Sequence, residues 1–173
     1  KVQSSGRIDR KVESRDRIRK SGEKKANDRM IKQTNHQLER AVVHVDDDPS
    51  VLRLVNRSLT ARGYHVHSIE DPELVVDYLR QNLARLVIVD LDMPKKDGLS
   101  LLRDIKAFDG SIQVIVMTGL ASVNTIVQAT SLGAEECIFK PIGDMKELGE
   151  AVDRTYEKML RWWRLLRDWT VRQ

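Results

Sequence analysis

Four short apolar runs each end in a polar residue able to do phosphate or metal chemistry. Asp46 and Asp47 follow residues 41–45, Asp90 follows 86–89, Thr118 follows 112–117, and Lys140 follows 137–139. If these runs are neighbouring parallel strands, their carboxyl ends meet at one sheet edge, where open α/β folds place their ligand sites. Three carboxylates there repel one another unless a cation neutralises them. An all-oxygen, partly hydrated donor set suits Mg²⁺ better than Zn²⁺, which prefers His or Cys. A carboxylate can also act as a nucleophile and form an acyl phosphate, with the metal and a lysine ammonium stabilising charge on the phosphoryl oxygens. Asp90 is central enough to be that nucleophile, with Thr118 as a hydroxyl donor to the phosphoryl group and Lys140 as an ion-pair partner of Asp90 or of the phosphate. Taken singly, each residue has a plainer reading as a turn, cap or solvent-exposed group. Their placement at separate strand ends argues for a joint role.

The elements that must position them follow from the hydrophobic pattern. Residues 41–45 read as a strand and 49–62 as a helix, with Val51, Leu52, Leu54, Val55 and Leu59 at helical spacing, Pro49 in the first turn and Gly63 as the stop. A second, weaker strand spans 64–69, and Asp71-Pro72 opens a helix through Leu74, Val75, Tyr78 and Leu79. The continuous apolar run 86–89 predicts a strand buried on both faces. A helix at 99–108, a strand at 112–117, a helix at 122–132 ended by Gly133, and a strand at 136–139 complete the alternation. Five strands alternating with helices predict a doubly wound α/β fold, a parallel sheet of order 2-1-3-4-5 with helices on both faces. Its switch point falls between the strands that carry Asp46/Asp47 and Asp90.

Val45-Asp46-Asp47-Asp48, Val89-Asp90-Leu91-Asp92-Met93-Pro94 with Asp97-Gly98, Val116-Met117-Thr118-Gly119, Gly133-Ala134 and Lys140-Pro141 together resemble the receiver domain of two-component response regulators. The resemblance implies a flavodoxin-like fold and phosphorylation of Asp90 by a histidine kinase or phosphotransfer protein. It implies Mg²⁺ held by Asp46, Asp47, Asp90 and the backbone carbonyl of Asp92. Thr118 would follow the phosphoryl group on activation, Lys140 would contact it, and the Lys140-Pro141 bond would be cis. The protein would catalyse at most its own phosphorylation and dephosphorylation. One departure concerns the aromatic residue that the family usually places three positions before the lysine, where this chain has Cys137. Phe139 is nearer the lysine but is not assumed to replace it. Leu120 and Asp92 are expected to influence water access to the acyl phosphate.

Three regions are expected: a basic arm or linker over 1–40, either disordered or a solvated helix, a receiver domain over 41–158, and a Trp-rich extension of the last helix over 159–173. Residues 1–40 carry 13 Lys and Arg against 6 Asp and Glu, net +7, while the rest of the 173-residue chain carries 17 against 20, net −3. The arm has too few apolar residues for a core of its own. It reads first as a connector to an upstream domain and otherwise as a contact for the acidic receiver face. Nucleic-acid binding is disfavoured, because no aromatic residue interleaves with its basic ones. From Asp144 a last helix is expected, in which Leu148, Val152, Thr155, Met159, Trp162, Leu166 and Trp169 recur at spacings of 4, 3, 4, 3, 4 and 3, a heptad pattern of the coiled-coil kind. Trp162, Trp163 and Trp169 with Leu165 and Leu166 then predict an interface, either a homodimer or an output-domain contact.

No apolar run approaches the ~20 residues of a membrane span, and the single Cys137 suits a reducing, cytoplasmic setting. His36, His44, His65 and His67 form no convincing metal constellation and are assigned structural roles. Two functional classes remain: a phospho-switch, or a constitutive dimerisation or scaffold module with a vestigial acidic site. A haloacid-dehalogenase-like phosphatase would use the Asp46/Asp48 spacing but leaves Asp90 unexplained.

Overall fold

A computed structural model describes residues 40–119, 122–140 and 145–170, with the side chains of 166–170 excepted. Five strands form one parallel sheet: β1 Ala41–Val45, β2 His65–Ile69, β3 Leu86–Asp90, β4 Gln113–Thr118 and β5 Glu136–Phe139, in the order β2-β1-β3-β4-β5. The helices are α1 Pro49–Ala61, α2 Val75–Gln81, α3 Gly98–Phe108, α4 Val123–Ser131 and α5 Met145–Thr170. The expected strand order and every expected helix are present, with shifts of a few residues at the ends. The 71–79 segment begins as a 3-10 turn, Pro72–Leu74, capped by the Asp71 carboxylate, before α2 proper.

Side-chain alternation divides the core into two layers. Val43, Val45, Val87, Val89, Val114 and Val116 face one side with Leu101, Leu102 and Ile105 of α3. Val42, Leu86, Ile88, Ile115, Met117 and Ile138 face the other with Val55 and Leu59 of α1 and Leu148, Val152 and Met159 of α5. Every residue of β3 is buried, as its unbroken apolar run requires of a strand covered on both faces. Gly63 and Gly133, after α1 and α4, have φ of 85° and 94°, the left-handed conformation that a non-glycine residue adopts only at a cost.

The heptad reading of the last helix needs correction. Leu148, Val152, Thr155 and Met159 are buried, and the three apolar ones belong to the domain's own core. A stripe at a mean spacing of 3.5 residues serves a helix laid on a sheet as well as a coiled coil, because both bury one face. The helix nevertheless continues to Thr170, and Trp162, Trp163 and Leu165 are 61, 48 and 57% exposed. The side chains of Leu166 and Trp169, the basic arm over 1–39, Leu120, the Lys140-Pro141 bond and Asp144 lie outside the described residues.

The loop from β3 into α3 closes tightly on the strand end. A Cβ at Gly98 would lie 2.3 Å from the Asp90 carbonyl oxygen and 2.6 Å from Leu91 Cα, both backbone atoms. Gly98→Ala should therefore displace the chain around Asp90 and cost about 1–3 kcal/mol of stability, as overpacking does, measurable by urea denaturation.

Candidate phosphoacceptor site

The sheet delivers the acidic residues to one edge, and short backbone contacts hold them there. The Asp46 N–H donates to the Ile69 carbonyl at 3.3 Å, Leu91 N–H to Met117 at 2.8 Å, and Lys140 N–H to Thr118 at 2.8 Å, so the ladder continues to the strand ends. Asp48 caps α1 by accepting from Ser50 N–H at 2.7 Å, and its own N–H donates to Asp46 Oδ1 at 2.9 Å. Helix α3 is capped likewise by Asp97, which accepts from Leu99 N–H at 3.2 Å. Ion pairs of Lys95 with Asp71 and of Lys96 with Asp104, at 3.0 and 2.7 Å, hold the intervening loop.

Within this frame Lys140 Nζ lies 2.7 Å from Asp46 Oδ2 and 3.0 Å from Asp90 Oδ2, bridging two buried carboxylates. Asp47 is exposed beside them, and oxygens of Asp46, Asp47 and Asp90 all lie within 4.8 Å of one another. Burial raises the Asp90 carboxyl above the usual range, opposed by Lys140 and reinforced by the Asp46 charge. Burial pulls Lys140 down, but its hydrogen bonds to Asp46 and Asp90 outweigh that and leave its ammonium above the ordinary lysine value. One ammonium cannot neutralise three carboxylates. A hard divalent cation fits the remaining charge and the all-oxygen donor set.

Thr118 is buried, but its hydroxyl donates to Asp92 Oδ2 at 3.1 Å, and that same oxygen accepts from Gly119 N–H at 2.6 Å. The Asp92 N–H donates to Asp90 Oδ1 at 3.3 Å. Residues 46, 47, 90 and 140 therefore come together as the sequence implies, while Thr118 is engaged with the Asp92 side chain. That contact was not foreseen, since the sequence assigned Asp92 only a backbone carbonyl role at the metal and an influence on water access.

His44 was also underread. It is fully buried, its Nε2 lies 3.9 Å from Asp46 Oδ2, and its ring nitrogens make no hydrogen bond among the described residues. Burial, helped by the Lys140 charge, lowers its pKa to about 3, so the ring is neutral around pH 7. Alternation carried the signal, because residues two apart on a strand share a face. By contrast His67 stacks on Tyr78 with ring centroids 4.0 Å apart. At the departure from the family pattern, Cys137 is half-buried against the α3-side core, and Phe139 is exposed at the sheet edge.

The response regulator receiver domain family matches residues 42–153. The transcriptional regulatory protein ZraR of Klebsiella oxytoca is 34% identical over 101 residues, covering 58% of this chain and 23% of that protein. The chain thus spans about a quarter of the length of such curated relatives. Among solved structures, the beryllofluoride-activated NtrC4 receiver domain dimer aligns with a TM-score of 0.65 at 27% identity, covering 69% of this chain and 98% of that one. The CheX–CheY–BeF3–Mg complex from Borrelia burgdorferi aligns at 0.64 and 25% identity, covering 68 and 89%. With the sheet order, the acidic cluster and the bridging lysine already in place, the match over most of the described domain leads to one conclusion: this chain belongs to the response regulator receiver domain family.

Proposed function

We propose that this chain is a phospho-switch in which Asp90 accepts a phosphoryl group from a histidine kinase or phosphotransfer protein in the cytoplasm. The observation that carries this reading is the buried Asp90 carboxylate, 3.0 Å from Lys140 Nζ and within one acidic cluster with Asp46 and Asp47. An Asp90 oxygen attacks phosphorus, the donor's leaving group departs, and an acyl phosphate results. Lys140, already shared between Asp46 and Asp90, offers its positive charge to the new phosphoryl oxygens without a large movement. Mg²⁺, held by Asp46, Asp47, Asp90 and the Asp92 backbone carbonyl, would supply Lewis-acid stabilisation of the phosphoryl group. The Mg²⁺ and beryllofluoride named for the Borrelia complex, and the beryllofluoride activation named for NtrC4, support the reading by analogy. A constitutive scaffold would need none of this convergence.

Output would pass through the Thr118 region and α5, whose exposed tryptophans fit a homodimer or an output-domain contact. The dimer named in the NtrC4 structure favours the former. Among the described residues no helix is long and apolar enough to cross a membrane.

Incubation with acetyl phosphate and Mg²⁺ should add a phosphoryl group seen by intact mass, and Asp90→Asn should abolish it. An unchanged wild-type mass beside a reactive control receiver would sink the proposal. Lys140→Met should leave Asp46 and Asp90 without their shared cation and push the Asp90 pKa further up. A carboxyl whose folded pKa exceeds its unfolded value loses stability as pH rises through the folded pKa. The variant's deficit should accordingly be small near about pH 4 and reach roughly 2 kcal/mol near neutrality, below the value for a fully buried pair because Lys140 is partly exposed. Urea denaturation at several pH values checks this, and added Mg²⁺ should narrow the gap. Sedimentation should show that truncation after Lys158 removes self-association of the full chain.

A further inference from the structure

We propose that Asp92 is a positioning residue whose side chain holds Thr118 in its resting place and thereby slows phosphoryl capture at Asp90, an inference that rests on the phosphoacceptor reading above. Asp92 touches both partners that must cooperate after phosphorylation. Its N–H donates to Asp90 Oδ1 at 3.3 Å, and its Oδ2 accepts from the Thr118 hydroxyl at 3.1 Å and from Gly119 N–H at 2.6 Å. One residue thus spans the gap between acceptor and hydroxyl.

Proton counting makes the contact exclusive. An ionised carboxylate only accepts, so the hydroxyl supplies the proton, and a threonine hydroxyl has one proton to give. While Thr118 donates to Asp92, the same hydrogen cannot serve a phosphoryl oxygen on Asp90. The Gly119 contact strengthens the hold, because a short N–H bond to a charged acceptor is among the stronger hydrogen bonds available to a protein. Two donors from consecutive residues, at the end of β4 and just after it, are bound to one oxygen, so the turn after β4 is held together with the hydroxyl.

Phosphorylation supplies the force that releases the hold. A phosphoryl group on Asp90 adds negative charge beside the Asp92 carboxylate and creates competing acceptors for Thr118. Repulsion of Asp92 and attraction of the hydroxyl act in the same direction. The side chain of Asp92 is exposed and can swing into water at little packing cost. Its backbone, from which the carbonyl projects, need not move with it.

The test uses the full chain with Asp92→Ala and Asp92→Asn, at an exposed position where truncation leaves the core intact. In the unphosphorylated protein the Gly119 amide proton should resonate strongly downfield and move upfield in Asp92→Ala. The initial rate of adduct formation from acetyl phosphate at saturating Mg²⁺ should rise roughly 3- to 10-fold in Asp92→Ala, the range expected for one net hydrogen bond. Asp92→Asn, which keeps an oxygen acceptor but loses the charge, should fall between. In a Thr118→Ala background the gain should vanish, since the two residues act through one contact. An unmoved Gly119 resonance, an unchanged rate, or an equal gain without the Thr118 hydroxyl would overturn the proposal. Absence of any adduct in the wild type would instead overturn the phosphoacceptor reading and the rate effect with it. The Gly119 resonance would then decide the resting contact by itself.

Discussion

The structure depends on the ammonium of Lys140 lying between the carboxylates of Asp46 and Asp90. Without it, two buried anions would share a low-dielectric strand edge, an arrangement costly enough to shift protonation or open the fold. Several local features serve this contact. The extended ladder contacts of Asp46, Leu91 and Lys140 set the strand ends, and the absence of a side chain at Gly98 lets α3 start against the Asp90 backbone. The Asp48 N–H fixes the Asp46 oxygen that Lys140 does not use. The pair is structurally complete but electrically unfinished, with more negative than positive charge, which is the condition for binding a divalent cation.

At the other end of the sheet, α5 is anchored by a different set of forces. Asp153 receives the Tyr64 hydroxyl at 2.5 Å and the Arg62 guanidinium at 2.8 Å. The Tyr156 hydroxyl donates to the Ala41 carbonyl. Arg154 pairs with Glu136 and Lys158 with Glu135 at the strand of the opposite sheet edge. Burial ends at Met159, and beyond it Trp162, Trp163 and Leu165 stand in solvent. The helix therefore has a first part fixed to the domain and a second part whose apolar area has no partner in this chain among the described residues. Exposed aromatics on such a projection have the composition of an interface core.

Much of this was legible in the residue order. Apolar runs of three to six residues closed by a polar residue marked β1, β3, β4 and β5, while β2, with two exposed histidines, carried a weaker signal. The right-handed crossover rule then turned chain order into spatial order. The seam of α5 was misread in part, because Leu148, Val152 and Met159 bury inside the domain's own core, against the sheet and α1, and not against a helix of a second chain. A spacing pattern reports that a face is covered, not by what.

The sequence by itself determined which groups meet at the sheet edge, since strand termini and connection handedness follow from local hydrophobic pattern and backbone chirality. Only the tertiary structure decided how their hydrogen bonds are distributed: Lys140 to both Asp46 and Asp90, Thr118 to Asp92, and the buried His44 ring without a hydrogen-bond partner among the described residues. Those choices depend on distances of a few tenths of an ångström between residues up to 94 positions apart in the chain. Donor geometry at that scale is set by how α1, α3 and α5 pack on the sheet, and no single segment encodes it.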